Sequence, residues 1–196
     1  MKNYSQLAGV LSILLSVASC ASFQSISIPP ERIVQTGYSL IPLNEKGWRL
    51  GQRNPVQLVI GKVSDNPDES LIIQSTIVKI RPYKTKEEFV QLVKENQATD
   101  TDERFASKQF DVSSYDEKGT DCAKSYALSE DKAASRKSGH SGTMIIELLS
   151  LTCAHPKNNR FAVYVGYSHR YYPGHQDKEF NQKAWTVMSS LEFSDL

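Results

Sequence analysis

A surplus of basic charge is missing. Lys and Arg number 23 against 22 Asp and Glu in 196 residues. A nucleic-acid binder needs such a surplus to displace counterions from phosphates, so the balance argues against that class. Long apolar runs are missing too: no stretch reaches the roughly 18 residues that a membrane-spanning helix requires. Cysteine is scarce, with three in the chain, and no CxxC spacing supports a structural zinc site. The four histidines show neither HExxH nor HxH spacing. No glycine-rich phosphate loop and no GxSxG elbow is present. There is no internal repeat and no low-complexity tract. What remains, with 39% hydrophobic and 23% charged residues, is a chain able to bury a core and long enough for one domain.

The first twenty residues bear on the compartment. Lys2 and the amino terminus are followed by an apolar stretch over residues 7–17, then by Val17, Ala18, Ser19 and Cys20. This three-part form is that of a secretory signal, and the apolar part is too short to span a bilayer comfortably. Val17-Ala18-Ser19-Cys20 resembles the bacterial lipobox, in which small residues precede an obligatory cysteine. The resemblance implies cleavage after residue 19, a diacylglycerol on the Cys20 thiol and acylation, as by palmitate, of the new amino terminus. The alternative is an ordinary signal peptide with a chance cysteine. Two or three acyl chains would anchor stably, each buried CH₂ contributing about 0.8 kcal/mol. Ala21 stands where an Asp would retain an enteric-type lipoprotein in the inner membrane, which implies outer-membrane sorting. The expected organisation is a signal peptide over 1–19, a lipidated tether over 20–34 and one domain over 35–196. Without residues 1–19 the basic count falls by Lys2 to 22, equal to the acidic count, so no polybasic grip on lipid is expected.

Two cysteines then remain. Cys122 and Cys153 fall in extended segments on either side of a polar loop, residues 135–142, and their midpoint lies inside that loop. Two strands folding back there bring the cysteines opposite each other, and an oxidising compartment favours a disulfide. A metal site is the rival reading.

Further along, residues 31–56 read as short broken segments, with a short edge strand before Pro42. Strands are expected over 56–63 and 71–80. A helix starts at Thr85, with Glu88 at capping-box spacing, and presents Phe89, Leu92 and Val93 on one face. Strands follow over 108–116, 120–128, 143–155 and 160–172. The third is apolar on both faces and so belongs in the middle of a sheet. A last helix over 177–191 carries Phe180, Ala184, Val187, Met188 and Leu191 as a stripe. Strands joined by hairpins, with helices on the faces, make an antiparallel α+β sandwich. The order of the Gly47-Trp48 segment, turn, long strand, Phe89–Leu92 helix, hairpins and closing helix resembles the PsbP-like fold of DcrB-type periplasmic lipoproteins. That resemblance implies a binding or accessory role.

Chemistry is thinly signposted. His169 and His175, with His155 or Asp177, lack the convergent spacing of a metal site, so no metal and no cofactor is expected. Residues 138–142 read as a flexible hairpin tip rather than a nucleophile loop. Cys153 and His155 share a strand face as a thiol–imidazole pair would, but a disulfide would consume the thiol. Glu87, Glu88, Asp100, Asp102 and Glu103 read as solvated charge. The aromatic stretch Tyr164, Tyr167, Tyr171 and Tyr172, with Arg160 and Arg170, offers the best surface, because Tyr and Arg are enriched at binding hot spots. Arg170, Tyr171 and Tyr172 are the expected contacts, on the strand end expected to be exposed. The small Gly166 and Ser168 leave either a groove or room for a helix to pack close on the sheet, and because Tyr is at home in strands the core is the preferred reading of the stretch. The expectation is therefore a non-catalytic, lipid-anchored binding or accessory protein of the envelope, with a protein partner. Alternatives are an immunity protein using loop 135–142 against a delivered toxin, or a hydrolase.

Overall fold

Two meanders of antiparallel strands, joined edge to edge, make the frame. The computed structural model describes residues 24–98, 104–134 and 136–196. The signal segment and Cys20 lie outside them. Two short strands, β1 (Ile33–Gln35) and β2 (Tyr38–Leu40), precede a first meander of β3 (Arg49–Arg53), β4 (Gln57–Val63) and β5 (Ser70–Lys79). Helix α1 (Lys86–Ala98) leads to the second meander, β6 (Phe105–Tyr115), β7 (Cys122–Asp131), β8 (Met144–His155) and β9 (Asn158–Tyr171). Helix α2 (Phe180–Ser189) and β10 (Glu192–Phe193) follow. β9 pairs with β5, giving one seven-stranded sheet of order β3-β4-β5-β9-β8-β7-β6. The α+β class and the antiparallel sheet with helices packed on it are as the sequence patterns indicate.

The two faces of the sheet are closed differently. On one, Leu58, Ile73, Leu149, Leu151, Val163, Val165 and Tyr167 meet Phe180, Ala184, Val187 and Met188 of α2. A small sheet of β1, β2 and β10 extends this cover. On the other, Phe89, Leu92 and Val93 of α1 pack on Ala123, Ala154 and Ala162. Those alanines let the helix sit close, while the ring of Tyr164 lies over Gly166, where a Cβ would overlap it. The space left by Gly166 is thus filled by its own strand, neither by a helix nor as an open groove. The predicted capping residue works: Thr85 Oγ1 accepts from Glu88 N–H at 3.2 Å, and Glu88 reaches back to Lys84 N–H at 2.7 Å.

Three expectations need correction. The strand before Pro42 is not an edge: β2 lies between β1 and β10 and all three of its residues are buried. Ordered chain begins well ahead of residue 35, since Ser25 bridges Arg49 on the outer edge of β3. The last helix starts at Phe180 instead of Asp177, because the Asp177 carboxylate caps a turn, accepting from Glu179 N–H at 2.9 Å.

Candidate functional site

Loops gather at the end of the sheet where β9 finishes and β8 begins. Residues 64–69 join β4 to β5, residues 132–143 join β7 to β8, and residues 172–179 lead to α2. Asp68 and Glu69 lie between these loops and are only 1% and 4% exposed. A buried carboxylate is tolerable only when donors surround it. Asp68 accepts from Ser138 Oγ–H, from the backbone N–H groups of Lys137 and Ser138, and from Tyr172 O–H at 2.8 Å. The Ser138 hydroxyl foremost, with the two amides and Tyr172, holds the Asp68 carboxyl well below the usual range against its desolvation. Glu69 accepts from His175 Nδ1–H at 2.6 Å and from Tyr172 N–H at 3.4 Å.

Two more carboxylates complete this end. The Asp131 side chain is fully buried and takes a bidentate pair of 2.8 Å bonds from Arg104, with Arg170 at 3.7 Å. Burial opposes its charge, but the arginines prevail and keep its carboxyl below the usual value. Glu147 behaves oppositely: burial pushes its carboxyl up, although it accepts from Tyr126 O–H at 2.9 Å and Tyr171 O–H at 3.4 Å. His169, opposite Glu147 on β9, is pushed down by burial.

The predicted contact residues separate in this setting. Tyr171 is buried, not exposed, with its hydroxyl on Glu147. It follows Tyr167 and His169 on the covered face of β9. Arg170 turns to Asp131. Tyr172 is half-buried and tied to Asp68, yet its ring stands 6.1 Å from that of His140 and 6.5 Å from that of His175. The expected flexible tip is held: residues 137 and 138 are fastened by Asp68. Cys122 and Cys153 are bonded, as a registered pair of β7 and β8, at the end of the sheet opposite the loops. His155 therefore has no thiol to activate. Its Nε2–H is shared between Gly37 O at 3.1 Å and Ser194 O at 3.0 Å.

The Asp68–Ser138–His140 group superficially suggests hydrolysis. Its order differs from that of a triad. The Asp68 carboxylate accepts from Ser138 Oγ–H, Ser138 Oγ accepts from His140 N–H at 3.2 Å, and His140 Nδ1 stands 2.7 Å from the same oxygen. A triad carboxylate instead holds the imidazole and leaves the serine to it. What the arrangement offers is a shaped surface: Arg136, His140, Tyr172 and His175 around buried anions. Pattern reasoning missed Asp68, Glu69 and Asp131 because each reads locally as turn or strand-end charge, and their partners lie up to 106 residues away.

Among the described residues no group of three or more His, Cys, Asp or Glu is placed to hold a metal ion. Among them also, no helix is long and apolar enough to cross a membrane. No protein-family profile matches the chain, and no curated protein matches it in sequence.

Proposed function

We propose that this chain is a lipid-anchored, non-catalytic protein of the bacterial envelope that holds a protein partner at the loop end of its sheet. The observation that carries the binding half is the imidazole–phenol–imidazole row of His140, Tyr172 and His175, fixed in place by Asp68 and Glu69. A surface whose shape is set before contact loses less conformational entropy on binding, so aromatic and Arg anchors there give more net affinity. The anchoring half rests on the lipobox resemblance at Cys20, with outer-membrane sorting following from Ala21. The PsbP-like, DcrB-type resemblance supports an accessory role by analogy.

The test is site-specific photo-crosslinking in the envelope. A crosslinker at His140 is expected to capture a discrete partner, whereas one at Lys157, at the opposite end, captures none. Equal capture at both positions, or none at His140, sinks the binding surface. The fixed loop also favours a second reading, an immunity protein presenting residues 136–142 to a toxin. A toxin as the species captured at His140 decides for it.

A further inference from the structure

We propose that the turn end of the sheet, around Val34, Arg53 and Val56, is a surface that lies on an anionic lipid bilayer. The proposal rests on the reading of Cys20 as the anchored residue. Leu50 N–H donates to Gln24 O at 2.8 Å, and Ile26 N–H to Trp48 O at 3.0 Å, so the chain is part of the fold from Gln24 onward. Cys20 stands four positions earlier, a span of at most about 14 Å when fully extended. From Leu50 to Arg53, the last residue of β3, the strand advances only about 10 Å. The turn end is thus within the tether's reach. The bridge of Ser25 to Arg49 is antiparallel, so from Ile26 to Gln24 the segment advances along β3 toward Arg53 and away from the loop end. The β8 side of the loop end is out of reach, four strand spacings or about 19 Å sideways from β3.

The side chains at the turn end suit that neighbour. Val34 and Val56 are 59% and 48% exposed, and Val78 and Leu196 are exposed beside them. Backbone bonds gather them: Thr36 N–H to Pro55 O at 3.1 Å and Ile77 N–H to Val56 O at 3.0 Å. The Arg53 guanidinium donates to Val34 O at 3.0 Å, and Leu196 lies against Gly37. Arg53 and Lys79 are exposed at this edge, while the nearby Asp195 carboxylate is taken by Lys157. A few valines bordered by cations fit the boundary between acyl chains and anionic headgroups. An anchor at Cys20 would hold them there with no polybasic segment in the sequence.

The disulfide leaves Cys20 as the one free thiol of the chain from residue 20 onward. That thiol is coupled to maleimide-bearing anionic vesicles, and lysine acylation is read by mass spectrometry against the same chain coupled to a soluble maleimide. Coupling sets the attachment point whether or not cells acylate Cys20. Absence of an acyl label in cells therefore sinks the anchoring reading alone. On vesicles, Lys79 is expected to lose reactivity roughly fivefold, the scale of one basic side chain's attraction to an anionic leaflet. Lys137 and Lys178 are expected to keep theirs. A Val34→Asp/Val56→Asp variant, changed only at exposed positions, should restore Lys79 labelling. Unchanged Lys79 on vesicles, or protection of Lys137 and Lys178 instead, overturns the orientation. Protection of Lys79 that appears only with added envelope extract also overturns it and identifies a protein occupant.

Discussion

The two ends of the sheet are closed by different chemistry. At the turn end, the Cys122–Cys153 bond and the alanines under α1 do the work, with His155 stitched to two carbonyls. At the loop end, buried carboxylates organise the chain, and Asp68 alone draws together three segments of sequence. Covalent and apolar closure is insensitive to proton concentration and tolerates neighbours. Closure by buried charge depends on a set of donors and on the carboxylate staying ionised. The end that carries the ring row of His140, Tyr172 and His175 is the end built from such charge.

The largest effect should come from the disulfide. The bond closes a separation of 31 residues, which the chain-entropy estimate values at about 3–4 kcal/mol. Cys122→Ala should lower the urea unfolding free energy by that order or somewhat less, because residual denatured structure absorbs part of the gain. The loop end should keep its amide protection below the transition. If loop protection collapses together with the bond, the two ends are not independent.

Asp131→Ala comes next. It leaves Arg104 and Arg170 without their carboxylate. Breaking a fully buried pair costs about 3–5 kcal/mol, and the 33% exposure of Arg104 brings the expectation to about 2–3 kcal/mol. Urea unfolding measures it. A loss under about 0.5 kcal/mol would reduce Asp131 to an ordinary surface charge.

Acid separates the ends more gently. Asp68, Asp131 and Asp177 are held below their ordinary values in the fold. Their contribution is complete above the unfolded aspartate value near 3.9 and fades as pH falls through their folded values. Glu147 has the opposite sign: its raised carboxyl favours the fold when protonated, and that contribution is lost as pH rises through its folded value. Hydrogen exchange at Lys137 and Ser138 should therefore accelerate as pH drops below about 4, after correction for intrinsic rates, while amides around Cys122 and Cys153 hold. Uniform acceleration at both ends would erase the distinction.

What could be read without coordinates follows the same division. Local periodicity shows the long strands, the start of α1 and the buried stripe of Phe180, Ala184, Val187 and Met188 on α2. The polar loop midway between Cys122 and Cys153 indicates a hairpin whose register pairs them, as it does. Tyr171 was equally legible: it shares parity with Tyr167 and His169 and therefore the covered face. Expecting it exposed set its position near the strand end above its parity. The small sheet was hidden because strands of three, three and two residues carry too little pattern, and β10 joins from the far end of the chain. Asp68 and Glu69 follow Asn66-Pro67, a turn signal that ordinarily means solvent. Their burial is decided by residues 137, 138, 172 and 175, which no local window contains.

The smallest expected difference separates two neighbouring tyrosines. Tyr171→Phe removes a 3.4 Å bond to Glu147 while the 2.9 Å bond from Tyr126 remains. The lost bond is long and the shorter one stays, so the lost donor matters little, within about 1 kcal/mol. The Tyr171 ring stays buried, so crosslinking from position 140 should be unchanged. Tyr172→Phe removes one of four donors to an ionised carboxylate. The stability change should again be slight, because the Ser138 hydroxyl and two amides remain. Its consequence is positional. Without that hydroxyl bond the Tyr172 ring is free to leave the row between His140 and His175, and capture from position 140 should fall. The comparison is read from the ratio of crosslinked to free protein in the two variants, with circular dichroism confirming the fold. Equal capture in both would mean that the ring row does not form the contact, and would move the binding surface elsewhere on the loop end.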